Sequence, residues 1–209
     1  MGKKLNTPHT NYFPGAFPAQ IQKVIAHGHN AEGTFPEKTD VKNVTAAQFG
    51  PAGSMISTPN KIIKFFRLLF SHNTLPTKQY NKMLNIINEE NGKPVQLIST
   101  PEKVQDFTSI GARLGIGLVY FKDAGFEWMH SGGNLGYESL YAYNPCNNII
   151  VALTNNTRHK AQFTFMNVFN SIYKVLNELH IVEKQANEYR KTHTLPAYCT
   201  PTKVSDTRE

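Results

Sequence analysis

An imidazole, a hydroxyl and a pair of glycines follow one another at His130-Ser131-Gly132-Gly133, and Asn134-Leu135-Gly136-Tyr137 completes the stretch. These residue types suit a site that polarises a carbonyl. A Gly-Gly pair lets a backbone approach a ligand closely because no Cβ intervenes. Free N–H groups at such a place can receive a developing oxyanion. An imidazole beside them can move a proton or hydrogen-bond a substrate near neutral pH. The same letters also fit a hairpin bend preceded by a core histidine, and spacing alone leaves both readings open.

Other reactive side chains carry less. His27 and His29 are spaced to share one strand face as metal ligands, but no third ligand stands nearby, and a partly exposed loop pair fits them better. No metal or cofactor is implied. Cys146 and Cys199 form no Cys-x-x-Cys pair. They suit either a disulfide tying the C-terminal tail to the body or two buried thiols. Trp128 and the phenylalanines read as core.

The elements that must position these residues change period along the chain. Residues 1–45 read as irregular, with turn signals at Asn11-Tyr12-Phe13-Pro14-Gly15 and Phe17-Pro18 and a short strand over Gln20–His27. A first helix starts near Ser57-Thr58-Pro59, where Ser57 or Thr58 can cap it and Pro59 suits the first turn. Ile62, Phe65, Phe66 and Leu69 share one face of it, and Lys61, Lys64 and Arg67 take the other. A second helix follows Pro76 and ends near Asn91-Gly92, with Met83, Leu84, Ile86 and Ile87 inward.

Strand periodicity then takes over across Ala112–Lys122, Glu127–Ser131, Tyr137–Tyr143 and Ile149–Thr154, with short connections that demand antiparallel pairing. Phe165, Val168, Phe169, Ile172, Val175, Leu176 and Leu179 recur at helical spacing and make the inward stripe of a closing helix. The fold class is therefore α+β, an antiparallel sheet flanked by helices. The organisation is one domain over residues 1–187 and a loose polar tail over 188–209.

In series, these segments resemble the serine β-lactamase-related family, which includes class C β-lactamases, DD-peptidases (penicillin-binding proteins) and esterases. The resemblance rests on Pro51-Ala52-Gly53-Ser54-Met55-Ile56-Ser57-Thr58-Pro59-Asn60, Gly115-Ile116-Gly117-Leu118, the stretch from His130 to Tyr137, and Val151-Ala152-Leu153-Thr154-Asn155, in that order. Ala26-His27-Gly28-His29 is similar to the family's Ala-x-Gly-Tyr, with His29 in place of tyrosine. The likeness runs from about Met1 to Lys174.

The resemblance implies the C-terminal part of that fold. It makes His130 the residue opening the family's third motif, a catalytic group that hydrogen-bonds substrate or helps proton transfer. Ser131 becomes the hydroxyl that contacts a substrate carboxylate or amide. Gly132 gives clearance, the Gly133 N–H is one arm of the oxyanion hole, and Asn134 completes the substrate-binding stretch. Histidine rather than lysine at position 130 leans toward the esterase and peptidase-like branches.

The family's nucleophile lies in a Ser-x-x-Lys motif, where the lysine amine takes the serine proton, and a Tyr-x-Asn motif follows it. Met1–Thr7 resembles a family segment downstream of both, so this chain is expected to begin after them and to be inactive alone. Ser171-Ile172-Tyr173-Lys174 is a Ser-x-x-Lys string, but Ile172 belongs to the apolar stripe of the closing helix, which rules against a nucleophile there. Thr58-Pro59-Asn60-Lys61 is a helix start, and neither Tyr12 nor Tyr143 has a Tyr-x-Asn setting. The expectation is a truncated or split serine hydrolase acting on a small-molecule or peptide-like substrate. The alternative is a non-catalytic module that binds a ligand, a complementary N-terminal half or a second copy of itself.

Composition excludes several other classes. With 40% hydrophobic and 18% charged residues, 209 residues suffice for a packed core. No apolar run is long enough to span a bilayer, and the lysines at the start precede no apolar segment of a signal peptide. As written, the chain would stay in the cytoplasm, although complete family members are often periplasmic or secreted. Net charge is +7, and Lys61, Lys64, Arg67, Lys78 and Lys82 contribute without an acidic neighbour. Aromatic residues do not interleave with them on one face, so the charges read as a solvated helix face rather than a nucleic-acid site.

Overall fold

A computed structural model describes residues 10–13, 15–30, 36, 39–42, 50–71, 74–85, 92–94, 117–121, 125–158, 163–195 and 199. In chain order the elements are β1 (Asn11–Tyr12), α1 (Ala19–Gln22), β2 (His29–Asn30), β3 (Thr39–Asp40), α2 (Gly50–Gly53), β4 (Met55–Ile56), α3 (Pro59–Phe70) and α4 (Thr77–Met83). They continue as β5 (Gly117–Phe121), β6 (Gly125–Asn134), β7 (Tyr137–Asn144), β8 (Ile149–Asn155), β9 (Thr157–Arg158), α5 (Phe163–Glu178) and α6 (Ile181–Arg190). This is the α+β class that the sequence predicts.

The main sheet has the order β5-β6-β7-β8, with β5 and β6 antiparallel from Gly117↔Met129 to Phe121↔Gly125. A three-stranded sheet has the order β3-β2-β9, in which β2 runs antiparallel to β3 and parallel to β9. A third pairing joins β1 to β4. The described residues fall into two compact units. One lies within Met1–Leu75, His130–Tyr141 and Ile150–Phe169, the other within Pro76–Met129, Ala142–Ile149 and Asn170–Glu209.

In the first unit, Pro59 opens α3 as its composition predicts, and Thr58 takes the N-cap in an extended conformation. Thr58 caps with its carbonyl, which accepts from the N–H groups of Lys61 and Ile62, and not with its side chain. Ser57 is engaged elsewhere, its hydroxyl 2.8 Å from that of Thr10. Leu69 and Phe70 are buried at the end of the helix, and Val41, Leu140 and Phe169 join them among the buried apolar residues of this unit. The strand predicted over Gln20–His27 is not formed. Pro18 presets a helix start, α1 follows it, and extended pairing begins only at His29.

In the second unit, α4 begins directly after Pro76 and buries Tyr80. It stops at Met83; Ile86 and Ile87, predicted to continue it, lie outside the described residues. Trp128 is buried as predicted. The turn from β7 to β8 is built by two buried asparagines: Asn144 Oδ1 accepts the Cys146 N–H at 2.8 Å, and Asn147 Oδ1 accepts the Ile149 N–H at 3.0 Å. Such side-chain bonds to a backbone N–H two residues on are what asparagine contributes to a turn.

Cys146, held in that turn, forms a disulfide with Cys199. Of the two arrangements open in the sequence, the cross-link is the one present. Helix α6 runs through Arg190, and Cys199 is buried in its bond. Residues up to Arg190 are thus helical, and Cys199 is tied to the β7–β8 turn.

The closing helix α5 is present, but its buried line differs from the predicted stripe. Phe169 and Tyr173, four apart, are fully buried. Val168, Val175 and Leu179 are 46%, 50% and 63% exposed, so three of the seven residues of the predicted stripe face solvent. Periodicity identified an apolar helix, but two apolar rows run along it, and only one is covered among the described residues.

The cross-link carries a direct expectation. Replacing both Cys146 and Cys199 with alanine opens a covalent loop of sequence separation 53 and costs about 2–4 kcal/mol of stability in urea unfolding. An unchanged unfolding midpoint would show that the bond does not constrain the chain.

Candidate functional site

Strand β6 carries the whole candidate stretch. The sequence places a bend at the glycine pair, yet the strand continues straight through Gly132 and Gly133 to Asn134. The reversal comes one residue later, in the two-residue connection Leu135-Gly136, with Leu135 in the left-handed region at φ 44°. His130, Ser131, Gly132 and Gly133 are all exposed, so His130 is not a core histidine. A Cβ at Gly132 would sit 3.2 Å from the Ser139 hydroxyl on β7, which marks how closely the neighbouring strand approaches.

The reversal is clamped in place. Gly136 is buried, and a Cβ there would fall 2.5 Å from Val41 Cγ2, 2.6 Å from the His29 nitrogen and 2.7 Å from the Gly28 carbonyl carbon. Two of these neighbours are backbone atoms that cannot swing aside, so only glycine fits. Gly28 in turn lies under the Tyr137 ring, where a Cβ would come within 2.4–2.5 Å of two ring carbons. The Tyr137 hydroxyl donates to the Ala26 carbonyl at 2.7 Å.

Around this contact, Val41 N–H donates to the Gly28 carbonyl at 2.8 Å and His29 N–H to the Asn156 carbonyl at 2.8 Å. The Asn156 side-chain amide donates to the His27 carbonyl at 2.9 Å. The segment Ala26-His27-Gly28-His29, noticed in the sequence for its resemblance, is thus the seat on which the end of the site hairpin rests.

Charge and burial tune this clasp. His27 Nδ1 is hydrogen-bonded to Asp40 Oδ2. That bond, with the Lys42 N–H second, holds the Asp40 carboxyl below the usual range. The Tyr137 phenol is pushed up to about 12, first by burial and then by the Asp40 carboxylate, while a backbone contact at Gly28 opposes the rise. His29 stands across the strand pair from Asp40. Among the described residues no group of three His, Cys, Asp or Glu is placed to hold a metal ion.

On the other side of the stretch, His130 faces an aromatic neighbour. Its ring lies parallel to that of Tyr141, at 17° and 6.4 Å between centroids. Phe66 of α3 stacks on Tyr141 at 3.6 Å and 20°. Burial drives the Tyr141 phenol well above its usual range, so it stays neutral. Sequence reading missed Tyr141 and Ser139, and took Tyr137 only as the end of the motif, because each looks like an ordinary strand residue. Their one signal is the tyrosine-rich alternation of Tyr137-Glu138-Ser139-Leu140-Tyr141 beside the glycine pair.

Ser171 lies mid-helix on α5, as predicted, and Lys174 reaches toward Glu178 at 4.0 Å on the same helix. No described helix is long and apolar enough to cross a membrane.

Comparison with known proteins agrees with this architecture. A family model described as Beta-lactamase matches residues 3–170. No curated protein matches the chain. Among solved structures, the D-stereospecific amidohydrolase from Streptomyces sp. is 23% identical with a TM-score of 0.57, covering 75% of this chain and 41% of its own. The D-amino acid amidase from Ochrobactrum anthropi SV3, complexed with L-phenylalanine amide, is 20% identical with a TM-score of 0.58, covering 91% of this chain and 49% of its own. Its complex with D-phenylalanine gives 21% identity and a TM-score of 0.55, with coverages of 85% and 51%. The chain therefore spans about half the length of these structures, and the likeness to them is one of fold.

The clasp generates two expectations. Gly136→Ala destabilises the protein by about 2–3 kcal/mol in denaturant unfolding, because the backbone of Gly28 and His29 cannot yield. Gly132→Ala costs under about 1 kcal/mol, because a serine hydroxyl can rotate away. Equal effects would show that the hairpin tip is not seated as described. Tyr137 gives a pH dependence: its folded value, about 12, exceeds the ordinary 10.0, so the folded state keeps a proton that the unfolded chain loses. Its contribution is intact below pH 10 and is lost as pH rises through 12. Tyr137→Phe should flatten alkaline unfolding across that window, and an unaltered alkaline curve would refute the assignment.

Proposed function

Since the chain belongs to the β-lactamase family, we propose that it supplies the substrate-contact strand of a serine hydrolase acting on amide or ester carbonyls. The observation that carries this is the exposed run His130-Ser131-Gly132-Gly133 on a continuous strand clamped at its end. A substrate laid along β6 would meet the Ser131 hydroxyl with its carboxylate or amide. The Gly133 N–H would face the carbonyl oxygen as negative charge develops there. His130 would hydrogen-bond the substrate or pass a proton, and Gly132 would keep the approach clear. Asn134 would close the contact run at the strand end. The structures this fold resembles are named as amidohydrolases and amidases, which favours a small-molecule or peptide-like amide.

In the complete reaction a serine oxygen would attack the carbonyl, expel the amine or alcohol, and leave an acyl-enzyme that water hydrolyses. The nucleophile is not among these 209 residues on this reading. The sequence has one Ser-x-x-Lys string, at Ser171–Lys174, and its lysine turns to Glu178. The serine, its lysine and the tyrosine of the second motif would come from the N-terminal half of the family fold. The chain alone would bind but not turn over.

A second reading has its own support. Val168 and Val175 on α5, and Leu179 just past its end, are exposed apolar residues at spacings of seven and four. Such residues suit a non-catalytic module that docks against a complementary half or a second copy.

Intact-mass analysis of the folded chain after incubation with a penicillin and, separately, a fluorophosphonate separates an enzyme from an incomplete site. The proposal predicts no adduct and hydrolysis of a chromogenic cephalosporin or short-chain ester at the buffer rate. A single adduct mapped to one serine would mean that a nucleophile is present in these residues.

A further inference from the structure

Within the site just proposed, and resting on that reading, we infer that Tyr141 is the residue that positions the His130 imidazole. An exposed histidine on a strand has several staggered rotamers open to it, and each points its two nitrogens differently. A catalytic imidazole needs one of them. Here the ring of His130 is parallel to that of Tyr141 on the adjacent strand, within the range over which aromatic pairs attract.

The partner is itself immobilised. Phe66 covers the Tyr141 ring at 3.6 Å. Phe66 is in turn held edge-on by Phe65 at 5.1 Å and stacked near Phe70 at 6.2 Å. Phe70 is buried, so this aromatic series runs from the buried end of α3 out to the exposed imidazole. The order Phe70, Phe66, Tyr141, His130 transmits the rigidity of a helix to a side chain in solvent.

The ring of Tyr141, not its hydroxyl, performs this role. Burial raises the phenol further above its usual range, so the ring stays a neutral aromatic face. The family resemblance directs attention to His130 and leaves position 141 with no role; only the structure places the two rings together.

The test is NMR on the full chain, and it requires no turnover. In the wild-type protein the His130 imidazole should show through-space contacts to the Tyr141 ring protons and one dominant χ1 rotamer. Tyr141→Phe should keep both the contacts and the rotamer. Tyr141→Leu should lose the contacts and average the rotamers, with the His130 ring protons moving to the positions of a free histidine. Absence of the His130–Tyr141 contact in the wild-type chain would overturn the inference, and that measurement does not depend on any variant folding. A single unchanged rotamer in folded Tyr141→Leu would also overturn it. Failure of the chain to contribute to hydrolysis, with these signatures intact, would count against the proposed function and leave the positioning role standing.

Discussion

Two glycines and a tyrosine set the geometry of the site. Gly136 lies against the backbone of Gly28 and His29, Gly28 lies under the Tyr137 ring, and the Tyr137 hydroxyl is tied to Ala26. None of these contacts tolerates an added methyl without movement. The energy is modest: each hydrogen bond in the clasp contributes about 1 kcal/mol net. The steric term provides specificity, because close-packed backbone leaves only one way to seat the reversal. The stretch from His130 to Asn134 is continuous strand, and its far end is pinned at residues 135–137, not at the glycine pair.

The division of labour among the glycines follows. Gly132 and Gly133 face solvent and, in the proposed function, would leave room for a ligand, whereas Gly28 and Gly136 are buried and leave room for close approach of protein atoms. The hydroxyl and imidazole residues lie on the open part of the strand. Tyr141 and Phe66 then link one of them to the helix α3. The site is thus held at its tip by sterics and backbone hydrogen bonds, and at its base by stacked rings.

Much of this was legible in the sequence, and the failures have physical causes. Strand periodicity located β7 and β8 nearly to the residue, because one face of each is apolar. The glycine pair misled the reading of β6: glycine lacks a side chain to show alternation, so a continuing strand looks like a bend. Gln20–His27 was read as a short strand, yet Pro18 presets a turn of helix there. On α5 the apolar residues were recognised, but which of two rows is buried depends on neighbours that sequence does not place. His130 was visible by type and spacing. Tyr141 was not, because a tyrosine eleven residues downstream has no local pattern tying it to a histidine, and only strand pairing brings the rings together.

The claim that the clasp holds the site strand is tested most directly by native-state hydrogen exchange across low denaturant concentrations. The His29 and Val41 amides belong to the clasp, through bonds to Asn156 and Gly28. If the account is right, these amides and those amides of residues 130–134 that pair with β7 exchange through one opening, with the same free energy and the same denaturant dependence. The Gly133 N–H, left free for substrate in the proposed site, is outside this set. If the β7-paired amides of 130–134 exchange freely while His29 and Val41 remain protected, the strand is not held by the clasp, and the preorganised site described above does not exist.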